Sequence, residues 1–182
     1  MYFHEAMRLP DRAKFTEAME LEMKQHHDKN NFELIHRSQI PKDATILPSV
    51  WQLRRKRHLS TGEIKKYKAR INVDGSRMIK HKHYDQTYAP VASWAIIRLI
   101  MIIAAVNGWP TRQLDYVLAF PQAPIERDLY ISIPKGYQIE NGNNKDYALK
   151  LNKNLYGQKQ AGKVWNDFLV NKLQSVGFKQ SK

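Results

Sequence analysis

Ile64-Lys65-Lys66-Tyr67-Lys68-Ala69-Arg70-Ile71-Asn72-Val73 is the stretch from which the fold can be read. Successive side chains of a strand point to opposite sides, so Tyr67, Ala69, Ile71 and Val73 share one face and Lys66, Lys68, Arg70 and Asn72 the other. Just upstream, Trp51-Gln52-Leu53-Arg54-Arg55-Lys56-Arg57 reads as a second strand and Leu59-Ser60-Thr61-Gly62 as the turn between them. A hairpin with one apolar and one cationic face is suited to holding phosphates. A merely solvated strand face carries the same pattern, so the hairpin alone leaves both readings open.

Working outward, Asp11 follows Pro10 and is placed to cap a helix running to about residue 29, with Phe15, Ala18, Met19 and Met23 on one face. Residues 32–35 read as a short strand and residues 38–48 as a turn-rich connector. Downstream, Ser93 is placed to cap a helix over residues 94–107, with Gly108 at its end and Pro110 beyond. That helix is apolar nearly all round, which predicts deep burial. Residues 111–114 read as a strand that delivers Asp115. Leu129, Ile131 and Ile133 alternate in a further strand closed by Pro134-Lys135-Gly136. A polar loop over residues 140–145 and a strand over 147–151 follow. A helix over residues 161–176 turns Val164, Trp165, Phe168, Leu169 and Leu173 inward. The order is α+β, with a mixed or antiparallel sheet and packed helices, rather than a regular alternation of strand and helix. There is no internal repeat and no low-complexity segment.

A chain of 182 residues suffices for one domain or two closely packed subdomains. Lys and Arg total 30 against 17 for Asp and Glu, a formal net charge of +13, which points to a polyanionic partner: nucleic acid, nucleotides or an anionic membrane surface. With no cysteine there is neither a disulfide nor a thiolate metal site, which fits an intracellular protein. The opening Met1-Tyr2-Phe3-His4-Glu5-Ala6 lacks the pattern of a secretory signal. The most apolar run, residues 95–106, is interrupted by Arg98 and is too short for a bilayer core, so a soluble protein is expected.

Three segments have chemical potential. An Asp at the end of a buried strand, as read for Asp115, is a rigid mount for a divalent cation in two-metal phosphoryl transfer. Taken alone, such an Asp is more often a turn residue. In Leu155-Tyr156-Gly157-Gln158-Lys159-Gln160-Ala161, Gly157 permits close backbone approach and Lys159 can meet a phosphate, although the spacing is not that of a P-loop. The third segment is the hairpin, through Lys66, Lys68 and Arg70. His81 with His83, and His26 with His27, lack the further ligands a zinc site needs. No nucleophile elbow, dinucleotide fingerprint or kinase motif occurs.

In order, Tyr67-Lys68-Ala69-Arg70-Ile71, Tyr88-Ala89-Pro90-Val91-Ala92, Ile103-Ala104-Ala105 with Gly108-Trp109, Gln113-Leu114-Asp115 with Ala119-Phe120, Ile133-Pro134-Lys135-Gly136-Tyr137 and Leu155 to Ala161 with Trp165 resemble the reverse transcriptase of copia-type retrotransposons. The resemblance runs from about Phe15 onward. It implies the fingers and partial palm of a right-hand polymerase: a lead-in over residues 1–40, a basic fingers hairpin over 41–92 and a partial palm over 93–182. It implies an RNA-directed DNA polymerase, a nucleotidyltransferase, acting with Mg²⁺ on deoxynucleoside triphosphates and an RNA or DNA primer–template, beside the other domains of a polyprotein and in the cytoplasm. Asp115 matches the first metal-binding, catalytic aspartate, and Tyr116 the residue whose carbonyl meets the same metal. Phe120 matches the bulky residue under the incoming sugar, which excludes a 2′-hydroxyl. Lys68 and Arg70 match residues that grip the triphosphate. Tyr156 and Gly157 match the turn lining the nucleotide pocket, with Lys159 beside it.

The chain departs from the family pattern at Tyr116, where a small or β-branched residue is usual. It also departs at Pro121-Gln122-Ala123, where Leu-Asn-Gly or Leu-His-Gly is usual, a change expected to reshape the turn after Asp115. The family's paired aspartates are expected after Gly177-Phe178-Lys179-Gln180-Ser181, and the sequence stops at Lys182. One carboxylate cannot clamp two metal ions, so the chain by itself is expected not to polymerise, and to leave core surface uncovered with low stability. The alternatives are a non-catalytic nucleic-acid-binding fragment and the functionless product of a decayed retrotransposon.

Overall fold

The computed structural model describes residues 1–140 and 142–179. In chain order the elements are α1 (Phe3–Ala6), α2 (Arg12–Asp28), β1 (Phe32–His36), β2 (Ile46–Leu47), β3 (Ser49–Arg57), β4 (Ile64–Val73), α3 (Trp94–Val106), α4 (Ala119–Gln122), β5 (Tyr130–Ser132), β6 (Tyr147–Leu151) and α5 (Ala161–Ser175). A four-stranded sheet runs β1-β6-β5-β2, and β3 with β4 makes a separate two-stranded ribbon. Within the larger sheet β2 and β5 pair in parallel and the other pairs are antiparallel, so that sheet is mixed. The α+β expectation holds. Within the polar loop, Asn143 caps a short turn over Asn144–Asp146, while Asn141 lies outside the described residues.

The hairpin pairs Trp51 with Ile71 and Leu53 with Ala69 across its apolar face. All four are buried, together with Val73. An isolated ribbon is marginal in water, so this face needs a cover. Helix α2 supplies it: Phe15, Met19 and Met23 join the same core, and Phe15 meets Tyr67 edge-on with ring centroids 4.9 Å apart. The ribbon is tied to the larger sheet by Trp51 Nε1–H donating to the Lys135 carbonyl (2.8 Å) and Ser49 N–H donating to Ser132 Oγ (3.0 Å).

Asp11 occupies the cap position of α2, but its side chain makes no capping bond. Its carboxylate accepts from Arg55 Nε and Nη2, both at 2.7 Å, and from Tyr67 Oη, also at 2.7 Å. A bidentate, charge-assisted pair outcompetes a neutral backbone donor. The Arg55 and Tyr67 hydrogen bonds hold the Asp11 carboxyl down at about 2. They push Arg55 and Tyr67 upward.

Three expectations are corrected. Residues 111–114 form no strand; they run as irregular, exposed chain from Gly108 to α4. Helix α3 forms as expected, with Ser93 Oγ accepting from Ile96 N–H (3.3 Å), yet only Ala104 is buried. Ile100 and Ile102 are 59% and 61% exposed. Hydropathy states that a helix needs cover; among the described residues no helix or strand packs extensively against this one. On α5, Val164 is buried and Trp165, Phe168 and Leu169 are half-buried, but Leu173 is 36% exposed because the helix runs past the core. No helix among the described residues is long and apolar enough to cross a membrane.

Two predictions follow from the packing. Because the Asp11 pKa is depressed on folding, its contribution to stability is present above about pH 4 and is lost as pH falls toward about 2. The stability gap between the native chain and Asp11→Asn, read by urea unfolding, should therefore narrow over that window. A constant gap would contradict the pairing. Ile100→Glu with Ile102→Glu should raise the soluble fraction and change the unfolding free energy by no more than about 0.5 kcal/mol. A loss of about 2 kcal/mol or more would mean that α3 is packed in solution.

Candidate functional site

Beside α2 and β4 lies a cavity of about 390 Å³ that brings together Lys68, Arg70, Asp115, Tyr116, Tyr156 and Glu22. The alternation of β4 aims Lys68 and Arg70 away from the core and into this space. Arg70 lies over the Tyr156 ring at 4.0 Å from its centroid, a cation–π contact that fixes both side chains. Burial pushes the Lys68 ammonium below its ordinary pKa; Arg70, Lys56 and Lys66 add repulsion, and Glu22 opposes the shift. A cation strained in this way gains from an incoming anion.

Asp115 reaches the cavity on an exposed loop rather than at a strand end. Among the described residues it forms no ion pair. After it, Leu118 adopts φ +52°, an uncommon conformation for a bulky residue, and the chain enters α4, where Pro121 and Gln122 lie. This turn sets Tyr116 against Trp165, with ring centroids 5.2 Å apart, and Phe120 against Tyr156 at 4.9 Å.

The remaining sequence-derived residues do not line the cavity. Gly157 adopts φ +88° and touches Val73 so closely that a Cβ would lie 2.1 Å from the Val73 carbonyl oxygen. Lys159 turns toward Tyr84, its Nζ 3.4 Å from the Tyr84 hydroxyl. Phe120 and Gly157 thus adjoin the cavity only through Tyr156, and Lys159 is not brought to it. His81 and His83 share no strand: His83 is buried and accepts from Ile79 N–H through Nδ1 (2.8 Å), while His81 is exposed.

Glu22 is the cavity residue that sequence reasoning missed. It is buried, and its Oε1 accepts from Ile71 N–H (3.3 Å). Asn31 Nδ2 donates to His26 Nδ1 (2.9 Å), which leaves the His26 Nε2–H to donate to Glu22 Oε1 (3.3 Å). The available signal was a Glu and a His four residues apart on the buried side of a helix.

Apart from the α2 residues, which precede the match, the cavity residues sit in a segment with clear kin. Residues 29–182 match the family described as "Reverse transcriptase (RNA-dependent DNA polymerase)". The chain belongs to this reverse transcriptase family. It is 36% identical over 141 residues to the retrovirus-related Pol polyprotein from transposon RE1 of Arabidopsis thaliana, covering 78% of this chain and 9% of that protein. It is 31% identical over 163 residues to the Pol polyprotein from transposon TNT 1-94 of Nicotiana tabacum, covering 88% of this chain and 12% of that protein. The kinship is with copia-type Pol polyproteins. This chain spans about a tenth of the length of these curated relatives. No solved structure matches it.

The strained cation gives a direct test. Adding inorganic triphosphate should raise the Lys68 pKa, followed by NMR titration of labelled lysine side chains. An unchanged Lys68 titration would contradict anion binding in this cavity.

Proposed function

We propose that this chain forms the fingers and partial palm of a right-hand reverse transcriptase, with residues 1–40 as lead-in, 41–92 as fingers and 93–182 as partial palm. It holds a nucleoside triphosphate and the primer–template on the cationic face of the hairpin. The observation that carries this reading is the meeting of Asp115, Tyr116, Lys68, Arg70 and Tyr156 in one cavity, although they come from three distant parts of the chain. Lys68 and Arg70 serve the phosphates. Tyr156, pinned by Arg70 and in contact with Phe120, forms the wall against which the sugar and base lie. Phe120 excludes a 2′-hydroxyl, and Gly157 adjoins the pocket through Tyr156.

The family's reaction, template-directed addition of deoxynucleotides, uses Mg²⁺. Asp115, in no ion pair among the described residues, has a carboxylate suited to a hard cation, and the Tyr116 carbonyl follows it. Glu22 shares the cavity, but its Oε1 already accepts two hydrogen bonds. No group of three or more His, Cys, Asp or Glu side chains that could hold a metal ion occurs among the described residues. That donor set does not fit a two-metal centre, so these residues bind and orient but do not complete the chemistry. The paired aspartates of the family pattern are expected beyond residues 177–181, of which Gln180 and Ser181 lie outside the described residues.

A second reading, a non-catalytic clamp on nucleic acid, is favoured by the cavity holding, among the described residues, only Asp115 and the already hydrogen-bonded Glu22 as carboxylates. Two assays separate the readings. Purified chain with a poly(rA) template, an oligo(dT) primer and Mg²⁺ should give no extension, and measurable extension would contradict the inactivity. Primer–template binding should weaken with salt, and Lys68→Ala with Arg70→Ala should flatten the log–log salt slope by roughly 1.5, the loss of about two phosphate contacts. A slope unchanged by the substitutions would remove the hairpin from the interface. A clamp would bind without responding to deoxynucleoside triphosphates, whereas the polymerase reading predicts a tighter complex when the complementary triphosphate is added.

A further inference from the structure

On the other flank of α2 lies a larger groove, of about 950 Å³. Helix α2 serves the two spaces with different residues: Leu21, Glu22 and Gln25 line the candidate site, and Glu20, Met23, Lys24 and His27 line this groove. Its floor is apolar, built from buried Met23, Phe32, Ile139 and Leu149, with Leu34 of β1 rising from it 45% exposed. Its rim is acidic: Glu20, Asp28, Glu33 and Glu140 face Lys24 and His27.

Some of this charge is met internally. Lys24 pairs with Asp28 at 2.9 Å, and Lys150 lies 4.0 Å from Glu33 while favouring Asp128 at 3.4 Å. Glu20 and Glu140 form no ion pair among the described residues. In a chain of net charge +13, an apolar trough edged by unpaired carboxylates stands against the prevailing field. Nucleic acid is repelled there, and an apolar floor has no use for phosphates.

We propose that the groove docks a basic amphipathic peptide segment from a partner protein, seated by large apolar side chains at helical spacing over Leu34, Met23 and Phe32, with Lys or Arg reaching Glu20 and Glu140. The docking site is separate from the candidate nucleotide cavity, and its truth does not depend on the polymerase reading. It gives this domain a protein-recognition groove lined by different residues of α2 from those at the candidate cavity.

The test is fluorescence anisotropy of the full chain with an 18-residue peptide of leucines at helical spacing and lysines elsewhere, against the same peptide with every lysine replaced by glutamate. The lysine peptide should bind, and Glu20→Lys with Glu140→Lys should weaken it about tenfold or more. Leu34→Asn, a substitution at a half-exposed position, should weaken it independently while leaving the circular dichroism unchanged. No binding of the lysine peptide would overturn the proposal. So would binding untouched by both variants, which would place the peptide elsewhere, as on the exposed apolar helix α3. A glutamate peptide that Leu34→Asn displaces equally would overturn the charge argument. Sedimentation velocity showing a dimer that Glu20→Lys with Glu140→Lys dissolves would assign the groove to a second copy instead.

Discussion

A contact between two stretches of backbone brings the cationic ribbon and the Tyr156 bend together. Val73 N–H donates to the Tyr156 carbonyl at 2.8 Å, which stitches the end of β4 to the bend that follows β6. The bend fits only because Gly157 has no side chain and tolerates φ +88°. From the other side, a Cβ on Gly75 would lie 2.2 Å from the Gly157 carbonyl oxygen. The two-stranded ribbon and the four-stranded sheet share no strand, so this clasp, with the Trp51 and Ser49 bonds, decides where the ribbon's cations stand relative to Tyr156.

The clasp also resolves a conflict in the hairpin. Its apolar face requires burial and its cationic face requires solvent or an anion, and the two are one residue apart all along β4. Helix α2 covers the first face, while the Tyr156 bend shields part of the second. The consequence is a lysine, Lys68, that is half-buried among like charges with Glu22 as partial relief. That state is costly without a partner and favourable with a polyanion, which links the packing of the ribbon directly to the function proposed for it.

Local pattern made much of this legible. The period-two alternation of residues 64–73 named both faces of β4, and the apolar spacing of Phe15, Met19 and Met23 named the buried face of α2. The cap Ser93 and the stop at Gly108 bounded α3 correctly. What pattern could not show was partnership across the chain. Asp11 looked like a cap because a cap needs only its neighbours; the competing Arg55 and Tyr67 lie 44 and 56 residues away. Glu22 drew no reading from its neighbours, because Ile71 N–H, which it accepts from, lies 49 residues away. The burial expected of α3 failed for the same reason: apolar composition describes a demand, and supply depends on which elements pack alongside. Asp115 reached the cavity, but through a loop, because residues 111–114 pair with no strand among the described residues.

The account stands on the cavity being a nucleotide site whose walls are set by the clasp. The most direct measurement is a backbone amide NMR titration of the chain with a deoxynucleoside triphosphate, followed by the same titration of Gly157→Val. The account predicts perturbations concentrated at Lys68 to Ile71, Tyr116 and Tyr156, and their loss in the variant while the amides of β1 and β6 keep their positions. Perturbations that spread evenly over the basic surface, or that persist unchanged when the bend is forced away from β4, would contradict it.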